Sequence, residues 1–244
     1  MKPIYLDCNA TSPIEPEVLE VVQFYLKEEF GNAGSRTHEM GHKASKAVND
    51  ARRKISEVLE AELNDVIFTS GATESNNLAI LGLKWHGEQK NKRHIITTAV
   101  EHKATLEPLE VLSQEGFEIQ KLKVDQQGRP NLESLKESIR EDTLLISLIH
   151  GNNETGVLNN IDEVCQILEE LNSDTILHID AAQSFGKVIE PLKNQRIDLL
   201  SLSSHKVYGP KGIGALVMRT RKYEKPPLTP LIYGGGQEKG LRAG

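Results

Sequence analysis

The stretch Asp198-Leu-Leu-Ser-Leu-Ser-Ser-His-Lys-Val-Tyr-Gly-Pro-Lys-Gly-Ile-Gly214 holds the residues best suited to covalent chemistry. Its apolar start reads as a buried strand. His205 and Lys206 follow, just before a turn rich in Gly and Pro. A lysine at the end of a buried strand is partly desolvated. Desolvation disfavours its charged form, so its amine becomes a nucleophile toward a carbonyl. Upstream, Ile176-Leu-His-Ile-Asp180 is a second apolar strand, and this one ends in a carboxylate. A lysine that condenses with an aldehyde and an acid that pairs a pyridinium nitrogen are together what pyridoxal 5'-phosphate (PLP) requires.

Other candidates lie at the ends of further predicted strands. Val66-Ile-Phe-Thr-Ser70 is a strand, and Gly71-Ala-Thr-Glu-Ser-Asn-Asn77 opens a helix predicted to run to about Trp85. Free N–H groups at Ala72 and Thr73, with the Thr73 hydroxyl, would suit an anion, although simple helix capping explains the pattern as well. His102 follows the strand His94 to Thr98, and an imidazole there titrates near neutrality. Leu144 to Ile149 runs into the polar loop Gly151-Asn-Asn-Glu-Thr-Gly156, which contains Asn153.

His38-Glu-Met-Gly-His42 matches the zinc-hydrolase pattern H-E-x-x-H. If helical, it would place two imidazoles on one face with Glu39 as base. Gly41 weakens the helix this needs, and no third ligand follows nearby. A zinc hydrolase using His38, Glu39 and His42 is therefore the rival from another class, and no metal is expected.

The elements that must position these residues alternate. Strands are expected near residues 66, 94, 119, 144, 176, 198 and 214, all buried, with helices between most of them. That pattern implies an α/β fold with a mostly parallel sheet and chemistry at the strand ends. Ile4 to Pro13 reads as a short strand and turn. Pro16 to Glu28 reads as a helix. A longer helix ends near Glu60, with Ala44, Ala47, Val48, Ala51, Ile55 and Leu59 as its apolar stripe. Leu132 to Arg140 and Ile161 to Leu171 complete the helices, with Cys165 as packing in the second. Gly234 to Gly244 is expected to be a flexible polar loop.

At 244 residues, the chain is long enough for one large domain. With 38% hydrophobic and 26% charged residues it reads as an ordinary globular protein. A net charge of −6 argues against a general nucleic-acid surface. No apolar run is long enough to span a bilayer, and no basic-then-apolar leader precedes Ile4. Two cysteines, Cys8 and Cys165, make no disulfide framework, which fits a reducing compartment and makes the cytosol the default.

The Lys206 and Asp180 stretches resemble the cofactor site of the cysteine desulfurases, fold-type I PLP enzymes of the class V aminotransferase group. The opening segment also resembles the family's, with Cys8 and Ser12 as departures. The resemblance implies a fold-type I large domain over residues 14–244, preceded by an N-terminal segment, residues 1–13. It implies PLP joined to Lys206, Asp180 on the ring nitrogen and His102 over the ring. Asn153 and Gln183 would lie around the ring oxygen, and Ala72, Thr73, Ser203 and His205 would bind the phosphate.

The implied reaction converts L-cysteine to L-alanine. Sulfur passes to a cysteine persulfide and then to an acceptor such as an iron–sulfur scaffold, for cluster or thiocofactor synthesis. A homodimer is implied too, with the Gly234 to Gly244 loop crossing between subunits. In the family a small C-terminal domain, a catalytic cysteine, a substrate-binding arginine and a phosphate-binding threonine follow the position of Gly244. Neither Cys8 nor Cys165 matches that cysteine, so the chain is expected to be an incomplete form, inactive by itself. A selenocysteine lyase and a non-catalytic remnant are the alternatives within this resemblance.

Overall fold

A computed structural model describes residues 4–244. In chain order it contains α1 (Pro16–Lys27), α2 (Glu39–Val58), β1 (Val66–Thr69), α3 (Ala72–Leu81), α4 (Lys84–Lys90), β2 (His94–Thr98) and α5 (Lys103–Gln114). Then follow β3 (Glu118–Leu122), α6 (Leu132–Ser138), β4 (Thr143–Ile149), α7 (Ile161–Glu170), β5 (Ile176–Asp180), β6 (Leu199–Ser203) and β7 (Gly214–Met218). The seven strands form one sheet in the order β1-β7-β6-β5-β4-β2-β3. Strands β2 to β6 pair in parallel, whereas β7 is antiparallel to both β6 and β1. The expected α/β architecture is present.

Continuous apolar strands follow from burial on both faces. Every residue of β2, β4, β5, β6 and β7 is buried. Successive side chains point to opposite faces and so join two different cores. Ile96, Ile146, Leu177 and Leu200 pack on one side with Val164 and Leu168 of α7. Their neighbours Ile95, Leu145, Ile176 and Leu199 pack on the other with Leu78 of α3 and Leu109 of α5. Strand β3 departs from the expectation of seven buried strands. It is an edge strand, and its Glu118 and Lys121 are exposed, which blunts pairing with another chain.

Chain order places a switch point inside this sheet. From β2 the chain steps outward to β3, then returns past β2 to β4 on the other side. The loops leaving β2 and β4 therefore diverge, and a crevice opens between them at the carboxyl ends. His102 and Asn153 belong to these two loops.

Four local expectations are corrected. Ile4 to Pro13 forms no strand; Ile4 and Leu6 are 85% and 86% exposed. This segment pairs instead with the irregular chain after β6, through Ser12 N–H to His205 O (2.9 Å) and Glu15 N–H to Tyr208 O (2.9 Å). Residues 1–3 of the expected N-terminal segment lie outside the described residues. Helix α3 stops at Leu81, because the Gly82 carbonyl accepts from Thr229 N–H (2.9 Å) and Thr229 Oγ1 (3.1 Å) instead of continuing the helix. On α2, Ala51 is exposed and the buried positions are Gly41, Ala44, Arg52 and Ser56.

Arg52 explains the fourth correction, because it anchors the segment expected to be flexible. Its guanidinium grips Glu238 through two bonds of 2.8 and 2.7 Å, and Glu238 also accepts from Phe68 N–H (2.8 Å). Arg242 adds a bond to Glu74 (3.0 Å). The 234–244 segment is thus tied to the edge of β1 and to α3. Among the described residues no helix is long and apolar enough to cross a membrane.

The start of β7 lies hard against the start of α3. A Cβ on Gly214 would fall 2.5 Å from Leu202 O and 2.6 Å from Gly71 Cα, both backbone atoms. Gly214→Ala is therefore expected to lower stability by about 1–3 kcal/mol, read as a drop of several degrees in thermal midpoint. Gly151→Ala, whose Cβ would meet nothing closer than 3.5 Å, serves as the comparison and should shift the midpoint less.

Candidate cofactor site

A cleft of about 520 Å³ opens at the carboxyl ends of the strands. All nine residues singled out in the sequence line it. Ala72 and Thr73 begin α3, His102 caps α5, and Asn153 follows β4. Asp180 ends β5 with Gln183 just beyond, Ser203 ends β6, and His205 and Lys206 sit in the 3₁₀ turn that follows. Short strand-end loops of a parallel sheet bring them together from positions far apart in the chain.

Asp180 forms the floor and is 2% exposed. Its Oδ2 accepts from Asn76 Nδ2 (2.7 Å) and its Oδ1 from Ala182 N–H (2.9 Å). Burial raises the carboxyl above the ordinary aspartate value, opposed by these two donors and by nearby His102 and Lys206. Asn76 was missed by sequence reasoning. A signal existed, since it lies four residues after Ala72 and so shares that helix face. Its Nδ2 also reaches Thr105 Oγ1 (3.3 Å), while its Oδ1 is buried without a partner.

Lys206 is partly buried, and burial, with Lys187 nearby, lowers its amine below the ordinary lysine value. Its Nζ donates to the carbonyl of Asn9. The same carbonyl accepts from Gln183 Nε2 (2.8 Å), while Gln183 Oε1 is buried and unpartnered. The N-terminal turn therefore belongs to the site, with Ala10 and Thr11 in its wall. Thr11 Oγ1 lies 3.1 Å from His205 Nδ1. Burial and then the charges of Lys206 and Lys211 lower His205, which favours its neutral form. His102 Nδ1 accepts from Ala104 N–H (3.1 Å), so its neutral ring carries the proton on Nε2.

The opposite end of the cleft suits an anion. Gly71 has φ 154° and ψ 176°, a region that is essentially glycine's alone. A Cβ there would meet nothing within 4 Å, which leaves a bare cradle beside the first turn of α3. No side chain caps that helix, so its first N–H groups remain open to a ligand. An amine of lowered pKa, a buried carboxylate and an anion cradle in one cleft fit PLP.

The zinc-hydrolase reading is overturned by the geometry of the H-E-x-x-H stretch. His38 has extended backbone angles (φ −147°, ψ 159°) and caps α2, its Nδ1 accepting from Gly41 N–H (3.1 Å). Two imidazoles on one helix face would require both to be helical. Glu39 pairs with Lys43 (3.4 Å). No group of three or more potential metal ligands occurs among the described residues. Cys8 is exposed in the N-terminal turn, whereas Cys165 is buried and burial pushes its thiol up to about 12.

Residues 4–242 match the family model for class-V aminotransferases. The mitosomal cysteine desulfurase of Trachipleistophora hominis is 46% identical over 242 residues, covering 99% of this chain and 54% of its own length. Cysteine desulfurase IscS of Buchnera aphidicola subsp. Baizongia pistaciae is 47% identical, covering 99% of this chain and 59% of its own. Among solved structures, DndA from Streptomyces lividans has a TM-score of 0.89 at 49% identity, covering 99% of this chain and 67% of that one. SspA in complex with cysteine has a TM-score of 0.90 at 40% identity, covering 99% and 68%. The chain thus spans little more than half the length of these curated relatives. With the lysine, the buried acid and the anion cradle in one cleft and the family match running almost end to end, this chain belongs to the class-V aminotransferases.

Proposed function

We propose that this chain carries the PLP site of a cysteine desulfurase, which converts L-cysteine to L-alanine and passes the sulfur to a thiol. The observation that carries this reading is the convergence of Lys206, Asp180 and His102 on one cleft with the open first turn of α3. Class-V aminotransferases and cysteine desulfurases depend on PLP. When bound, it supplies an electron sink for charge developing at the Cα of an amino acid.

Lys206 is the attachment point, and its lowered pKa makes the amine available both to a carbonyl and to a proton at Cα. Asp180 holds the pyridine nitrogen in its charged form. A buried anion with fixed donors does this without reorganising. His102 would lie over the ring with its Nε2–H free, and the amide groups of Asn153 and Gln183 would donate toward the ring oxygen. The N–H groups of Ala72 and Thr73, with Ser203 and His205, hold the phosphate.

For the sulfur step, L-cysteine and an enzyme thiol give L-alanine and a persulfide. Cys165 is too buried for that role, and Cys8, exposed in the N-terminal turn, does not match the position of the family's nucleophile, so a different thiol takes the sulfur. The enzyme works as a homodimer and delivers to an acceptor such as an iron–sulfur scaffold.

Incubation with PLP, borohydride reduction and peptide mapping should place the pyridoxyl group on Lys206. Label on another lysine, with Lys206 unmodified, would remove the assignment. Sulfide and alanine assays extend the test. The 244-residue chain should capture PLP yet release no sulfide from L-cysteine. Turnover abolished by Cys8→Ser or Cys165→Ser would show that the nucleophile is one of these. A cooperative thermal transition is the control for folding.

Asp180 predicts a conflict between stability and function. Its folded pKa is raised, so its contribution to stability is fully present below the ordinary aspartate pKa and is lost as pH rises through the raised value. Asp180→Asn keeps the bond from Ala182. If Asn76 flips, its unpartnered Oδ1 can accept from the new amide. The cofactor-free variant should therefore be more stable than the parent at neutral pH, by roughly 1–3 kcal/mol, with the gain closing in acid. A variant less stable at every pH would contradict this account.

A further inference from the structure

Glu101 immediately precedes His102, is 6% exposed, and has no role in the site as described so far. Its Oε1 accepts from the Thr98 hydroxyl (2.6 Å), and its Oε2 is buried with no partner. Asp180, also buried, is the charged group acting directly on it, from β5. His102, on the same loop, and Lys206, on the turn after β6, act in turn on Asp180. A negative charge on Asp180 disfavours a second one on Glu101, so the two buried carboxyls compete for one negative charge.

The donors around each decide which one keeps the proton. Asp180 receives two N–H groups, one on each oxygen, and is flanked by cationic or polar neighbours. Glu101 receives one hydroxyl on Oε1 and no hydrogen bond of good geometry on Oε2; the nearby Ile149 N–H only partly offsets its burial. A buried anionic oxygen with no donor is far costlier than a buried neutral hydroxyl. We propose that Glu101 is a positioning residue: a neutral, buried carboxylic acid that keeps the proton of the pair, so that its single negative charge stays on Asp180 at the cleft floor. Burial first, and the Asp180 charge as well, push Glu101 up to about 8, which agrees with the donor inventory.

The consequence for cofactor binding rests on the PLP reading; the location of the proton does not. If Glu101 ionised instead, the charge would sit on a carboxylate with one oxygen unpartnered, and Asp180 would become the protonated partner. A protonated Asp180 is a poor partner for a pyridinium nitrogen.

Infrared spectroscopy of the cofactor-free protein tests the assignment directly. A carbonyl stretch of a protonated carboxylic acid should be present at pH 7, fade as pH rises past about 8, vanish in Glu101→Gln and survive in Asp180→Asn. A band that survives in Glu101→Gln and vanishes in Asp180→Asn would overturn the proposal. The pH dependence of stability gives a second readout. Because the folded pKa is raised, wild-type stability should fall as pH climbs from the ordinary glutamate range to about 8. Glu101→Gln should lack that portion of the fall, and an unchanged profile would overturn the proposal. Should Glu101→Gln fail to fold, the wild-type band and its titration near pH 8 still decide.

The PLP arm separates the two readings. Glu101→Gln should bind PLP within about twofold of wild type at pH 7, since it preserves a neutral group. Wild type that takes up no PLP, yet shows the band lost in Glu101→Gln, would overturn the cofactor reading and support the proton assignment.

Discussion

The arrangement of the cleft depends on one constraint: a carboxylate, Asp180, has been carried to the end of a strand that is buried along its whole length. An isolated charge in that position is strongly unfavourable. Its neighbours meet the constraint. α3 must approach β5 closely enough for Asn76 to donate, and the chain must turn sharply after Asp180 so that the Ala182 N–H points back. The close approach of Gly214 to Gly71 belongs to the same requirement, because it fixes where α3 starts. Packing and chemistry are thus set by the same few contacts.

Burial also polarises the site. The low-dielectric floor raises the two carboxyls, lowers the Lys206 amine and lowers the His205 imidazole. Each group is moved toward its neutral form; at Asp180 the Asn76 and Ala182 donors and the nearby His102 and Lys206 oppose the shift. The amino ends of the strands are held differently. There Asp198 is clamped by Arg196 (2.7 Å) and Arg221 (2.7 Å), a fully paired ionic cluster with a structural role.

Much of this was legible in the sequence because strands buried on both faces announce themselves as apolar runs, and chemistry in parallel sheets gathers at their ends. Asp180 closes such a run, and Lys206 and His102 follow one within four residues. Asn76 does neither; it lies inside a helix, and only its spacing of four residues from Ala72 marks the shared face. Glu101 was hidden by its neighbour: an acid beside a histidine reads as a solvated pair until burial is known. The apolar Ile4-Tyr-Leu6 run forms no strand, and a short apolar run alone does not reveal whether a sheet edge is available. The glycine-rich 234–244 segment was misread as loose because its anchor, Glu238, finds its partners on α2 and β1.

The Asn9 carbonyl, which receives both the Lys206 amine and the Gln183 amide, belongs to the main chain. No side-chain replacement at position 9 removes that acceptor, although the Asn9 side chain itself also reaches Asn153 O (3.5 Å). What does matter is the length and path of the turn. A one-residue insertion or deletion between Asp7 and Ser12 would pull the oxygen away from both partners while leaving every recognised residue type intact. The position of that acceptor is therefore set by the path of the N-terminal turn, not by the identity of the side chain at position 9.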